Sequence, residues 1–129
     1  MKPAAKTYRR PRNRSGPARL WFSFLYSLSG LRFALAETAF QLELAGYGVL
    51  LVVLYFLPVS LVFKCVLLFA NTLVLIIELA NTGLETIVDM ISPQYDLNAK
   101  KVKDIGSAAV FVSLMLALAL WGSAVAPLF

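Results

Sequence analysis

Histidine is absent from the 129-residue sequence, which removes the commonest general base and the commonest metal ligand. Any acid–base or metal chemistry must fall to carboxylates. Cysteine occurs once, at Cys65, so no disulfide can form within the chain, and its apolar surroundings make it a packing residue. Charge is scarce as well: 15% of residues are charged and 60% are hydrophobic. That balance excludes an ordinary soluble domain, and the regular pattern of the apolar runs excludes disorder for most of the chain. A glycine-rich phosphate loop is also missing. "GYG" at Gly46–Gly48 follows no strand, and close helix packing accounts for it better.

The charges that are present lie unevenly. Eight of the twelve basic residues (Lys2, Lys6, Arg9, Arg10, Arg12, Arg14, Arg19, Arg32) precede the first long apolar run. In a soluble protein such an arm would suggest nucleic acid. Ahead of apolar segments it suits an anionic membrane surface instead, so membrane lipids are expected partners and nucleic acid is not. Residues 1–18 read as a basic, disordered arm. From Arg19 to Phe33, Trp21, Phe24, Leu25 and Leu28 follow the spacing of one helical face, as in a helix lying in the membrane interface. A cleaved leader ending at "ALA" (Ala34–Ala36) is disfavoured by the serines within the apolar run and by Arg32 after it.

Three spanning helices are expected, over about 34–57, 60–91 and 104–126. Pro58 and Pro93 end the first two, and each segment reaches the roughly 20 residues that cross a bilayer. Lys100, Lys101 and Lys103 in the second connection, with the basic arm, place that connection and the N-terminus in the cytoplasm. The C-terminus then lies in the periplasm.

"ELANTGLETIVD" interrupts this apolar pattern. Glu78, Asn81, Glu85 and Asp89 share one helical face, with Thr82 beside it. A polar helix end emerging into water would explain Asp89. It explains Glu78 poorly, because that carboxylate follows "NTLVLII" directly, and ionisable residues at membrane depth usually mark function. Glu37 can join this stripe from the first spanning helix. Glu43, about 120° further round, faces another helix, a neighbouring subunit or lipid. Lys103 and Asp104 return to the same level. Carboxylates suit a hard ion such as Mg²⁺ and lysine suits phosphate, an inventory for phosphoryl transfer. A small proton-coupled transporter fits nearly as well at this point.

"ELANTGLETIVD", "KVKDIGSAAV" and "AETAFQLE" together resemble the small integral-membrane diacylglycerol kinases of bacteria, over about Arg19 to Leu120. The resemblance implies an all-α membrane protein: three transmembrane helices preceded by an amphipathic interfacial helix, in one membrane kinase domain over 19–129. It further implies a homotrimer with sites between protomers, in the bacterial inner membrane. The reaction implied is transfer of the γ-phosphate of MgATP to the primary hydroxyl of diacylglycerol, giving phosphatidic acid. By the same resemblance Glu78 is the catalytic base and Asn81 the catalytic motif's amide, while Glu37 and Glu85 hold the Mg²⁺ that bridges the ATP phosphates. Nucleotide contacts would also come from Arg19, Tyr26, Gln94, Tyr95, Asp96, Lys103 and Asp104. Arg32, Phe40, Gln41 and Ser107 would line the lipid path. The chain departs from the family pattern at Gln94 and Asp96, where acidic and histidine residues are common, and at Leu42, where a polar residue is common.

Two other readings compete. Undecaprenol kinase is the same chemistry on a polyprenol, but "DIGSAAV" and "AFQLE" look more like the diacylglycerol type. A transporter or structural membrane protein would need polar residues along the outer halves of the helices, which carry almost none.

Overall fold

The computed structural model describes residues 16–128, and the expected disordered arm falls outside them except at its last residues, which are already helical. The chain divides into two compact units, Met1–Phe33 and Ala34–Phe129. The first contains helix α1, Pro17–Ala34, up to its last residue but one. Gly16 takes a left-handed conformation (φ 56°) that few side chains tolerate, and Pro17 opens the helix, where its missing N–H costs nothing. The rings of Trp21 and Phe24 meet on one face, tilted by 33° with centroids 5.9 Å apart.

The second unit holds three helices long and apolar enough to cross a membrane: α2 (Thr38–Phe56), α3 (Leu61–Ile91) and α4 (Leu97–Val125), followed by a 3-10 turn at Ala126–Leu128. Two boundaries differ from the expected ones. Helix α2 begins at Thr38 rather than near residue 34, because Glu37 is extended and Gln41 Nε2 donates to Leu35 O at 2.8 Å, pinning a turn. Helix α4 begins at Leu97, seven residues before the expected start. Asp96 Oδ1 accepts from the backbone N–H groups of Asn98 and Ala99, at 2.8 and 3.0 Å, and starts the helix there. The lysines that looked like a loop form the first turns of α4, where Lys100, exposed, pairs with Asp104 one turn on.

Local chemistry sets the other ends. Pro58 stops α2, Ser60 accepts from Phe63 N to cap α3, and Lys64 Nζ donates to Tyr55 O at 3.0 Å across the turn. Helix α3 is the middle element and packs along both α4 and α2. Ala70 and Ala117 let α3 and α4 approach closely beside Val74, and Leu67, fully buried, fills the next layer with Leu54 and Ala124. Gly46 and Gly48 play no such part within the chain: a Cβ at either would meet nothing within 4 Å.

The expected apolar outer halves hide a polar layer. Asn71 is 3% exposed, and its Oδ1 accepts from Trp121 Nε1 at 3.0 Å. Thr72 donates to Leu68 O at 2.8 Å, so its contact with Tyr47 at 3.1 Å has the tyrosine hydroxyl as donor. These bonds tie α3 to α4 and to α2. They answer the rule that polar groups in hydrocarbon must find partners inside the protein.

Candidate active site

Helix α3 turns Glu78, Asn81, Thr82 and Glu85 onto one side, and the start of α2 and the face of α4 meet them there. Together with Glu37 and Ser107 they line a cavity of about 230 Å³. Glu37 sits at the N-cap position of α2, but its side chain makes no capping hydrogen bond, so the carboxylate remains available to the cavity. Glu78 is 5% exposed. Glu85 and Glu43 both lie within electrostatic reach of it. Two further carboxylates thus lie near one buried carboxylate, an arrangement that favours a cation nearby.

Asn81 supports the cavity wall. Its Nδ2 contacts Glu85 Oε1 at 3.4 Å, and its buried Oδ1 has no hydrogen-bond partner. That oxygen lies against Gly106 on α4, where any Cβ would collide with it. The amide is therefore wedged between α4 and Glu85. This role for Gly106 was not visible in the motif, since the glycine is 25 positions away in sequence.

A second cavity, of about 420 Å³, lies where α3 passes into α4. Its lining includes Gln94, Tyr95, Asp96, Lys103 and Asp104, the expected nucleotide contacts of this region. Lys103 Nζ is 2.6 Å from Asp89 Oδ1 and is also within electrostatic reach of Glu85, so its charge stands between the two cavities. The carboxylate of Asp96 is engaged in capping α4. Among the described residues, no three Asp, Glu, Cys or His side chains cluster closely enough to hold a metal ion by themselves.

Phe40 and Gln41 do not line these cavities. Arg19, Tyr26 and Arg32 belong to α1. Phe40 is 3% exposed, so in this structure its ring packs and presents no surface to a substrate. The amide of Gln41 is taken up by the turn before α2. The reading from sequence missed Tyr47, Asn71, Thr72 and Trp121. Asn71 and Thr72 were the available signal, two polar residues within "LLFANTLVLII" seven and six positions before Glu78.

Comparison with known proteins gives a consistent picture. A family model described as prokaryotic diacylglycerol kinase matches residues 25–125. The chain is 36% identical over 112 residues to the diacylglycerol kinase of Escherichia coli (strain K12), covering 84% of this chain and 90% of that protein. It is 34% identical over 109 residues to the diacylglycerol kinase of Haemophilus influenzae, covering 84% and 92%. It is 35% identical over 99 residues to that of Pseudomonas aeruginosa, covering 76% and 80%.

Substituting Gly106→Ala should push the Asn81 amide away from Glu85. Turnover is expected to fall at least about tenfold, which is near 1.4 kcal/mol of lost positioning, while the helical circular dichroism stays unchanged. Full activity in this variant would show that the wedge is irrelevant to catalysis.

Proposed function

Because the chain belongs to the prokaryotic diacylglycerol kinase family and is a diacylglycerol kinase of the bacterial inner membrane, we propose that it moves the γ-phosphate of MgATP onto the primary hydroxyl of diacylglycerol, releasing phosphatidic acid. The observation that carries the assignment of roles is the buried Glu78 in a cavity shared with Glu37, Glu85 and Ser107, next to a lysine-bearing cavity.

Glu78 is the general base. It takes the hydroxyl proton as that oxygen forms its bond to the γ-phosphorus, while the bond from this phosphorus to the bridging oxygen breaks and ADP leaves with the electron pair. The lipid hydroxyl cannot leave the bilayer, so the base must stand at membrane depth, where Glu78 lies. Asn81 steadies Glu85. Lys103 offers a positive charge to the phosphates, and Gln94 and Tyr95 line the same nucleotide-sized space. Arg19 and Tyr26 on α1 contact the nucleotide, and Arg32 on the same helix contacts the lipid.

The donor set fits magnesium. Glu37 and Glu85 bring hard carboxylate oxygens to one cavity, and Mg²⁺ usually takes one or two carboxylates along with substrate phosphates and water. When bound, the ion neutralises charge on the phosphate oxygens. The N-terminus and the α3–α4 connection face the cytoplasm in this reading, where ATP is found, and the C-terminus faces the periplasm. The active assembly is a homotrimer: three thin helices cannot close around ATP and a lipid, and the large exposed apolar surface leaves room for neighbours (Tyr55, Phe69 and Phe111 are 77, 67 and 60% exposed).

Three measurements test this reading. In Glu78→Gln, kcat should fall by about 10²–10⁴-fold with ATP affinity retained; near-normal turnover would remove Glu78 from the base position. Glu85→Ala should weaken ATP binding in Mg²⁺ and change it little in EDTA, whereas equal losses in both would make Glu85 a structural residue. Co-refolding Glu78→Gln chains with Arg19→Ala chains should restore activity if the two residues serve one site from different protomers. No recovery, together with a fully active monomer in detergent, would mean that each chain builds its own site.

A further inference from the structure

Lys103 stands between two carboxylates and pairs with only one of them. On α3, Glu85 and Asp89 lie four residues apart and so share a face, separated by about 6 Å of helix rise. Glu85 lines the carboxylate cavity, and Asp89 lines the larger cavity beside it. Lys103 reaches across from α4. Its Nζ is 2.6 Å from Asp89 Oδ1, with Glu85 also within electrostatic reach. The other cation on the larger cavity, Lys100, is held by Asp104. Lys103 is therefore the ammonium placed to cross into the carboxylate cavity, yet no lysine or arginine is among the described residues that line it.

The choice of partner is not set by reach. A lysine side chain is a flexible four-carbon stem ending in a compact charge, and one helical turn is within its swing. Nor does acidity explain it. Glu85 has a second carboxylate, Glu78, within electrostatic reach, so its surroundings attract a cation strongly. The difference is the site of the pair. Asp89 is 63% exposed and the lysine side chain 36%, so both charges keep much of their water while they meet. If Asp89 lost its charge, Glu85 would be the remaining carboxylate acting on Lys103. One oxygen of Glu85 already faces Asn81 Nδ2 at 3.4 Å, and an ammonium on the other would fill the rest of that carboxylate's capacity.

We propose that Asp89 is a positioning residue: it anchors Lys103 beside the nucleotide-sized cavity and so keeps the ammonium off Glu85, leaving that carboxylate free for a divalent cation. Asp89 touches neither the cation nor the phosphates in this role and acts through Lys103. The two cavities thereby keep separate tasks, one presenting carboxylate oxygens and the other a positive charge. The proposal rests on Glu85 as a metal ligand, and one of its two readouts is independent of metal.

The first readout is a double-mutant cycle on the full chain in detergent, with Mn²⁺ as the probe, a non-hydrolysable ATP analogue present, and the free ion followed by electron paramagnetic resonance. Asp89→Asn keeps the shape of the side chain and removes its charge. Apparent Mn²⁺ affinity should fall about two- to fivefold, the range an exposed ion pair can supply, and Asp89→Glu should recover most of it. In a Lys103→Met background the same Asp89→Asn change should leave Mn²⁺ affinity unchanged, because no ammonium is released. Equal losses in both backgrounds overturn the proposal, since Asp89 would then act on the ion directly; so does an unaltered affinity in Asp89→Asn. The second readout is the carboxyl carbon resonance of Glu85 in metal-free protein labelled at its four glutamates (Glu37, Glu43, Glu78, Glu85), assigned by its loss in Glu85→Gln. It should move in Asp89→Asn and stay in place when Lys103→Met is the starting chain. A stationary Glu85 signal in Asp89→Asn overturns the transfer of the lysine. Equal losses for Glu85→Ala in Mg²⁺ and EDTA would remove the metal reading instead, whereas the carboxyl signal reports where Lys103 sits whether or not Glu85 binds metal.

Discussion

A polar side chain in the hydrocarbon layer has to face protein, water or substrate, and α3 carries Asn71, Glu78, Asn81 and Glu85 on one face. The packing of the second unit follows from that constraint. Helices α2 and α4 both lie against α3, and the residues they bring to its polar face are those a buried carboxylate or amide can use: Glu37, Tyr47, Ser107 and Trp121. The opposite surfaces remain apolar and exposed, as a bilayer solvent requires.

The polar groups on that face divide by depth. Near Asn71 they join helices, Trp121 bonding Asn71 Oδ1 and Tyr47 bonding Thr72, while Asn71 Nδ2 stays without a partner. Around Glu78 carboxylates gather instead, with no cation among the residues that line the cavity. Structural hydrogen bonds between helices in a membrane contribute only about 0.6–2 kcal/mol each, so the Asn71 layer adds modest stability and defined register. The acidic group is tolerable because its cavity can admit water, a cation or substrate. Asn81 links the two kinds of role: Gly106 fixes its oxygen side, and its nitrogen side faces Glu85.

Helix starts illustrate how much of the fold could be read ahead of the structure. Pro58 and Pro93 marked two helix ends through a covalent effect that acts on the adjoining residue, and α3 accordingly stops at Ile91. The start of α4 was misplaced because three lysines were weighed as loop charge. The N-cap of Asp96, a local hydrogen-bond feature, decides it. The break before α2 depended on Gln41 reaching back six residues to Leu35, a contact that helical periodicity cannot signal.

The sequence by itself determined the membrane class, the three spanning segments and the stripe of Glu78, Asn81 and Glu85, because composition and a 3.6-residue period act along the chain. Its motifs also carried the resemblance to the kinase family. Only the tertiary structure decided that Glu37 and Ser107 enter the same cavity as that stripe, that Lys103 pairs with Asp89 beside Glu85, and that Asn71 bonds Trp121 fifty residues away. The reason is physical. Each of these contacts depends on how two helices are rotated against each other, and that rotation is set by the packing of Leu67, Ala70, Val74 and Ala117 together.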